Sequence, residues 1–279
     1  MTLQYAVLVA DIDGTLVPEN KVVPPGVVAA VKAVQARGVR VCLATGRMWE
    51  AAREFVNAIG ADPPVILYNG AQVFDFRTGR TLWTRRLPQE TARQILVLVR
   101  QFPNVSPQLY VGGRVYAERM TPFVELYARR DHLTVHVIPR FEDLLAEEPV
   151  KMLIIGDPPD LAALSQAVAA LPGPAINQVF SQRDYLEILP PGISKGVALP
   201  VLAEALGVAV ERVVAVGDNL NDLTMVEAAG LGIAVEGSPP ALLAAAGWVC
   251  PPPEREGVRA VIERVWLSDR TKTEEGGRP

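Results

Sequence analysis

Apolar residues in the first part of the chain follow strand and helix patterns in alternation. Residues 7–10, Val-Leu-Val-Ala, form an apolar run that predicts a strand buried on both faces. Residues 24–38 begin with proline, carry apolar side chains at helical spacing and end at Gly38, which predicts a helix. A strand at 39–44, a helix at 48–59 and a strand at 64–68 follow. This order predicts a parallel sheet.

From about Val73 the pattern changes to hairpins mixed with helices. Hairpins are predicted at 74–86 and 109–117, helices at 90–101, 121–130, 141–148 and 161–171, and strands at 133–138, 150–155, 176–180 and 185–189. The earlier pattern resumes with a helix from Lys195 to about Leu206, strands at 213–216 and 232–235, and helices at 239–246 and 257–266. We therefore predict an α/β core at 1–83 and 189–268, an inserted α+β domain at 84–188, and a disordered tail at 269–279.

Composition narrows the class of protein. Apolar residues make up 49% of the 279 residues and charged residues 21%, which is typical of a globular protein with a substantial core. A net charge of -4 argues against a nucleic-acid partner, and no apolar run is long enough to predict a membrane span. Two cysteines make no disulfide framework, so we expect a reducing cytoplasm and a buried, unreactive Cys42.

The first candidate for chemistry is the break at the end of the first strand. Asp11 and Asp13 follow the apolar run directly, and Gly14 lets the backbone turn. The carboxyl ends of strands are where open α/β sheets bind ligands. An aspartate is anionic at neutral pH and can attack a phosphate without a base, with Mg²⁺ shared between the two anions and a second carboxylate carrying the proton. The alternative is an acidic turn that caps the next element.

A second acidic break follows the strand predicted at 213–216. The sequence there is Gly217-Asp218-Asn219-Leu220-Asn221-Asp222. Asp218 is placed to ligate a metal ion, and Asn221 and Asp222 can support it. A helix cap formed by Asp218 is the alternative.

Three further positions are candidates to bind a phosphate group or the substrate that carries it. Thr45 ends a predicted strand before Gly46, where a hydroxyl and nearby backbone N–H groups can reach an anion, although a helix cap is the commoner use. Asn69-Gly70 is by default an ordinary turn. Lys195 opens a helix, where a cation is disfavoured unless it pairs with phosphate or a carboxylate.

Residues 11–16, residues 45–47, Lys195 and residues 217–222 together resemble the four motifs of the haloacid dehalogenase superfamily. The insertion after Asn69-Gly70-Ala71 resembles that of the Cof-type subfamily of phosphatases, which carries a class IIB cap. The resemblance implies a Rossmann-like parallel-sheet core with an inserted α+β cap of the C2 type.

The resemblance also implies roles for individual residues. Asp11 would be the nucleophile that forms an aspartyl-phosphate. Asp13 would act as general acid and then as general base, and its backbone carbonyl would join Asp11 and Asp218 in binding Mg²⁺. Asp222 would support that site. The residues implied to bind the phosphate or the substrate are Thr45, Gly46, Arg47, Asn69, Lys195 and Asn221.

The function implied is a Mg²⁺-dependent phosphatase of small phosphorylated metabolites, for example sugar phosphates. We expect a cytoplasmic monomer or small homo-oligomer that binds neither nucleic acid nor membrane. Two alternatives stay open. A phosphomutase would share every core residue. A phospho-accepting signalling module would also use an aspartate at a strand end, but it needs neither Asp13 nor a cap of about 100 residues.

Overall fold

The computed structural model describes residues 3–173 and 175–268. The tail predicted at 269–279 lies outside the described residues. The strands are β1 Val7–Ala10, β2 Arg40–Leu43, β3 Val65–Leu67, β4 Gln72–Asp75, β5 Arg80–Thr84, β6 Val105–Val111, β7 Arg114–Ala117, β8 Val135–Val137, β9 Lys151–Gly156, β10 Asn177–Gln182, β11 Tyr185–Leu189, β12 Val213–Gly217, β13 Leu231–Val235 and β14 Trp248–Cys250. The α-helices are α1 Pro25–Gln35, α2 Trp49–Ile59, α3 Gln89–Val99, α4 Pro122–Arg130, α5 Pro158–Ala169, α6 Lys195–Ala205, α7 Leu223–Ala228, α8 Pro240–Ala245 and α9 Gly257–Ile262.

The chain forms two compact units. The first contains residues 1–43, 55–62 and 211–279, of which 3–43, 55–62 and 211–268 are described, and the second contains 44–54 and 63–210. Both units are assembled from segments that are distant in sequence. The predicted limits of the inserted domain, 84 and 188, stay a prediction.

The first unit is built on a five-stranded parallel sheet in the order β14-β13-β12-β1-β2. Every residue of β1 and β12 is buried, as expected for central strands covered on both faces. Helices α1 and α9 pack together, and so do α7 and α8. The predicted parallel-sheet α/β class is confirmed.

The second unit contains a six-stranded sheet in the order β10-β11-β9-β6-β7-β8. All neighbours in it are antiparallel except β7 and β8. One face of this sheet buries Leu109, Ile154 and Leu186 in a core shared with α3 and α5. Mixed helices and antiparallel strands are the α+β arrangement predicted for the insertion.

The third predicted strand pairs differently from expectation. Strand β3 belongs to a three-stranded antiparallel sheet, β3-β4-β5, and not to the five-stranded parallel sheet. A single parallel bridge joins Ile66 of β3 to Ala44. The strand has only three residues before the chain enters a left-handed turn at Tyr68 and Asn69, so a longer parallel ladder cannot form.

One strand was not predicted. Strand β14 pairs in parallel with β13, although residues 241–250 read as a short, alanine-rich apolar segment. Three residues are too few to produce a strand pattern.

Among residues 3–173 and 175–268, no helix combines the length and the apolar character that crossing a bilayer requires.

Candidate active site

Three carboxylates of the first unit meet at the carboxyl ends of β1 and β12. The two strands are parallel neighbours, and the backbone N–H of Asp11 continues their ladder by donating to the Val216 carbonyl at 3.0 Å. Asp11, Asp218 and Asp222 each place one carboxylate oxygen within 4.8 Å of the others. The two acidic breaks in the sequence therefore converge on one point.

Gly14 allows Asp218 to approach the turn after β1. Its φ is +86°, a left-handed conformation that glycine adopts without strain. A Cβ atom at this position would lie 2.4 Å from Asp218 Oδ2. Thr15 Oγ1 donates a hydrogen bond of 2.7 Å to Asp218 Oδ1. The turn thus leaves room for the Asp218 carboxylate at Gly14 and holds it through the Thr15 hydrogen bond.

Asp222 organises the loop that carries Asp218. Its side chain is fully buried, and Oδ2 accepts hydrogen bonds from the backbone N–H groups of Asp218 at 3.0 Å and Asn219 at 3.2 Å. Asn219 caps the 3₁₀ turn Leu220–Asp222, which also carries Asn221. The turn keeps Asn221 in the same loop as the carboxylates.

Asp13 lies at the rim of this site and is more exposed than Asp11. It forms an ion pair with Lys21, a residue that the sequence analysis did not single out. Asp13, Gly14 and Asp218 line a cavity of about 350 Å³ within the first unit. A side chain at the edge of a cavity is accessible to a ligand, as proton transfer would require.

The three clustered carboxylates fit a hard divalent cation. Oxygen donors are the ligands that Mg²⁺ prefers, and these three carboxylates each offer one oxygen within 4.8 Å of the others. Asp222 commits one oxygen to two backbone amides, which suits it to orienting Asp218.

The predicted phosphate ligand Thr45 lies in the second unit. It is 1% exposed, and its backbone N–H donates to the Ile66 carbonyl at 2.9 Å. Thr45 Oγ1 accepts the backbone N–H of Arg47 at 3.1 Å. The hydroxyl proton therefore points elsewhere and can be donated to an anion.

Asn69 is held against the Thr45 loop in a left-handed conformation. Its φ is +54°, and the preceding Tyr68 has a φ of +52°. The backbone N–H of Asn69 donates to the Thr45 carbonyl at 3.0 Å. A Cβ atom at Gly46 would lie 2.9 Å from Asn69 Nδ2, so a larger residue after Thr45 would displace the Asn69 carboxamide. Two consecutive left-handed residues other than glycine are a local strain of the kind found at functional sites.

Lys195 is fully buried at the first turn of α6. Ser194 caps this helix by accepting the Val197 N–H at 3.2 Å. Gly70 packs against the same helix start, because a Cβ atom there would lie 2.1 Å from the Ser194 carbonyl oxygen. Asn69 and Lys195 are thereby brought to the same part of the second unit.

Two charged residues that the sequence analysis missed belong to this group. Lys151 Nζ lies 3.2 Å from Glu187 Oε2, and both side chains are buried. Lys151 also donates to the Gly46 carbonyl at 3.1 Å, and Asn69 Nδ2 donates to Glu187 Oε2 at 2.9 Å. In the sequence each is a charge inside an otherwise apolar strand run, at 150–155 and 185–189, a pattern that marks the position but does not show whether the side chain is buried.

The predicted site residues therefore form two sets. Asp11, Asp13, Asp218, Asn221 and Asp222 belong to the first unit. Thr45, Gly46, Arg47, Asn69 and Lys195 belong to the second. Acidic groups dominate the first set, whereas groups suited to binding an anion dominate the second.

A parallel α/β sheet with carboxylates gathered at its carboxyl edge defines an α/β enzyme that binds its ligands there. Within this class, the family model of haloacid dehalogenase-like hydrolases matches residues 8–262. The chain belongs to the haloacid dehalogenase-like hydrolase family. The resemblance drawn from the four motifs is confirmed, and so is the expected enzyme class, a hydrolase.

Similar proteins extend this finding. The chain is 29% identical over 253 residues to the pyridoxal phosphate phosphatase YbhA of Escherichia coli, covering 87% of this chain and 92% of the relative. A crystal structure from Thermotoga maritima is 30% identical, with a TM-score of 0.83 and coverage of 95% and 98%. A sugar phosphatase described as subclass IIB has the same fold, at 20% identity, a TM-score of 0.80 and coverage of 92% and 98%.

Proposed function

We propose that this hydrolase is a Mg²⁺-dependent phosphatase of small phosphorylated metabolites, for example sugar phosphates. The observation that carries the proposal is the meeting of the Asp11, Asp218 and Asp222 carboxylates within 4.8 Å at adjacent strand ends. The relative from Escherichia coli is named for a small phosphorylated substrate, which supports the substrate class.

The metal would be held by the Asp11 and Asp218 carboxylates and by the backbone carbonyl of Asp13. Bound Mg²⁺ would offset the repulsion between the phosphate and the attacking carboxylate. Asp222 would keep Asp218 in place through the loop amides that it accepts. The hydrogen bond from Thr15 would orient the same carboxylate.

The reaction would proceed in two displacements on phosphorus. In the first, a carboxylate oxygen of Asp11 bonds to phosphorus while the bond to the leaving oxygen breaks, and Asp13 donates a proton to that oxygen. In the second, Asp13 takes a proton from water, and the water oxygen displaces Asp11 to release inorganic phosphate. Asp13 recovers its proton, so the residues return to their initial state.

The second set of residues would hold the phosphate and the substrate. The Thr45 hydroxyl oxygen accepts the Arg47 N–H, so the hydroxyl proton is directed away from that N–H. The proton can then be donated to a phosphoryl oxygen. The backbone of Gly46 and the amino group of Lys195 would contribute further donors. We assign Arg47, Asn69 and Asn221 to the neighbourhood of the substrate.

We also infer a cytoplasmic enzyme that acts as a monomer or small homo-oligomer without nucleic-acid or membrane partners. The acidic net charge of -4 supports the absence of a nucleic-acid partner. Both cysteines are free thiols, which supports a reducing compartment.

Phosphate release from p-nitrophenyl phosphate tests the proposal. We expect release with Mg²⁺, none after chelation, and faster turnover with members of a panel of sugar phosphates and pyridoxal 5′-phosphate. Release that continues unchanged after chelation would contradict the metal dependence. A sugar phosphate that is isomerised only when its bisphosphate is added, without net phosphate release, would instead favour the phosphomutase.

A further inference from the structure

The second unit buries an ion pair whose stability contribution does not explain its presence. Lys151 and Glu187 lie on the neighbouring strands β9 and β11, with side chains 4% and 7% exposed. Removing two charges from water costs free energy that their attraction often only offsets. A purely structural site of this kind would be filled as well by apolar side chains.

Both charges contact backbone or side-chain groups proposed to bind the phosphate and the substrate. Lys151 Nζ donates to the Gly46 carbonyl at 3.1 Å, and Glu187 Oε2 accepts from Asn69 Nδ2 at 2.9 Å. Because the same carboxylate oxygen accepts from Lys151, the two contacts form one continuous network.

The Lys151 contact reaches the Thr45 hydroxyl through one rigid peptide. The Gly46 carbonyl and the Arg47 N–H belong to the same planar peptide group, so holding the carbonyl also fixes the direction of the N–H. That N–H donates to Thr45 Oγ1 at 3.1 Å. The ammonium group thereby orients the oxygen whose proton is available for a phosphate.

Aromatic rings restrict the ammonium group of Lys151. Its Nζ lies 4.7 Å from the ring centre of Tyr110 and 5.9 Å from that of Tyr68. Tyr110 is the cross-strand partner of Lys151, and its hydroxyl is hydrogen-bonded to that of Tyr127. Rings on these sides favour a cation there and limit its movement.

We propose that Lys151 and Glu187 are positioning residues for the phosphate-binding groups of the second unit. Lys151 sets the Gly46–Arg47 peptide and through it the Thr45 hydroxyl, while Glu187 sets the carboxamide of Asn69. This proposal rests on the proposed phosphatase function. One of its tests, the binding of inorganic phosphate, does not require the protein to hydrolyse a substrate.

Three variants separate positioning from stability. Lys151→Met leaves the Glu187 carboxylate buried without its cation, so a lower Tm is expected whatever the role of the pair. The double variant Lys151→Met/Glu187→Met removes both charges and should recover much of the Tm. Glu187→Gln keeps an oxygen that can accept from Asn69, so it should retain more substrate affinity than the double variant.

Positioning predicts that affinity does not recover with Tm. In the double variant we expect the KM for p-nitrophenyl phosphate and the Ki of inorganic phosphate to rise about tenfold or more. We expect kcat to change about threefold at most, because binding of the phosphate is what is lost. The matched control is Arg100→Met, which breaks a 2.7 Å ion pair with Glu142 in the same unit and should leave KM unchanged.

Two results would overturn the proposal: a double variant with the KM and Ki of the wild type, or a KM that follows Tm across all variants. If the wild type fails to hydrolyse the aryl phosphate, the phosphatase function fails separately. The positioning role is then read from the rise in Tm that inorganic phosphate with Mg²⁺ causes in the wild type and not in the double variant. An equal rise in both, or none in the wild type, would overturn it.

Discussion

The Asp218 carboxylate occupies the space that a side chain at Gly14 would need. Its Oδ2 atom lies 2.4 Å from the position of a Cβ at residue 14, where φ is +86°. The turn after β1 and the loop after β12 are therefore fitted to each other, and the glycine of the first motif is required by the aspartate of the second. The sequence shows both motifs, but it does not show that Gly14 and Asp218 depend on each other.

Gly14→Ala should therefore displace Asp218. We expect the apparent affinity for Mg²⁺ to fall roughly 10- to 100-fold, as is usual when the support of a metal ligand is removed. Mg²⁺ titration of phosphate release measures this effect.

Gly38→Ala is the matched control for this substitution. Gly38 has a φ of +84°, and a Cβ atom there would meet no atom within 4 Å. Both variants place an alanine at a φ of +84° or +86°, which costs about 1–2 kcal/mol of backbone strain. Equal Mg²⁺ affinities in the two variants would contradict the fit between Gly14 and Asp218.

Asp222 should stabilise the folded protein through the two backbone N–H groups that its Oδ2 accepts. Asp222→Ala leaves the N–H groups of Asp218 and Asn219 without that acceptor, so we expect the free energy of unfolding to fall by about 1–3 kcal/mol. Asp222→Asn retains an oxygen that can accept and should lose less. Urea denaturation compares the two, and an equal loss would show that the loop does not depend on these bonds.

The two thiols should be unreactive in the folded protein. Burial raises the pKa of Cys42 above its usual range, and burial, with the charge of Asp218 adding to it, raises the pKa of Cys250 to about 12. We expect little alkylation by iodoacetamide at pH 8 until urea unfolds the chain. Rapid labelling of the native protein would contradict the burial of these residues.

The same shifts predict a loss of stability at alkaline pH. Above about pH 8.5 the unfolded chain ionises its thiols while the folded protein keeps them neutral, so the free energy of unfolding falls as pH rises. For Cys250 the fall ends near pH 12, where the folded protein also ionises. A Cys42→Ala/Cys250→Ala variant should show a smaller fall between pH 8 and about pH 11, and an identical profile would exclude the thiols as its cause.

The acidic half of the site was predictable because charge interrupts apolar strands abruptly. Asp11 and Asp218 each follow a run buried on both faces, and parallel strand ends meet at one sheet edge. Lys151 and Glu187 were not predicted, since a charge within a strand has the same pattern whether it is solvated or buried. Only the packing of β9 and β11 against the Asn69 turn distinguishes the two cases.

The pairing partners of the short strands β3 and β14 could not be predicted from the sequence either. Strand β3 was expected in the parallel sheet, but the left-handed residues Tyr68 and Asn69 turn the chain back into β4. The dipeptide Asn69-Gly70 indicated a turn, but nothing in the residue types showed that it begins at Tyr68 or that it leads back into an antiparallel strand. Strand β14 is recognised only through its pairing with β13.

Phosphate release by wild type and Asp11→Asn, with and without Mg²⁺, tests the nucleophilic role of Asp11 most directly. We expect Mg²⁺-dependent release in the wild type and none above background in Asp11→Asn, because the amide cannot form the aspartyl-phosphate. Asp75→Asn, a change in the turn between β4 and β5, should retain activity and serves as the control. Turnover by Asp11→Asn at the rate of the wild type would contradict the mechanism.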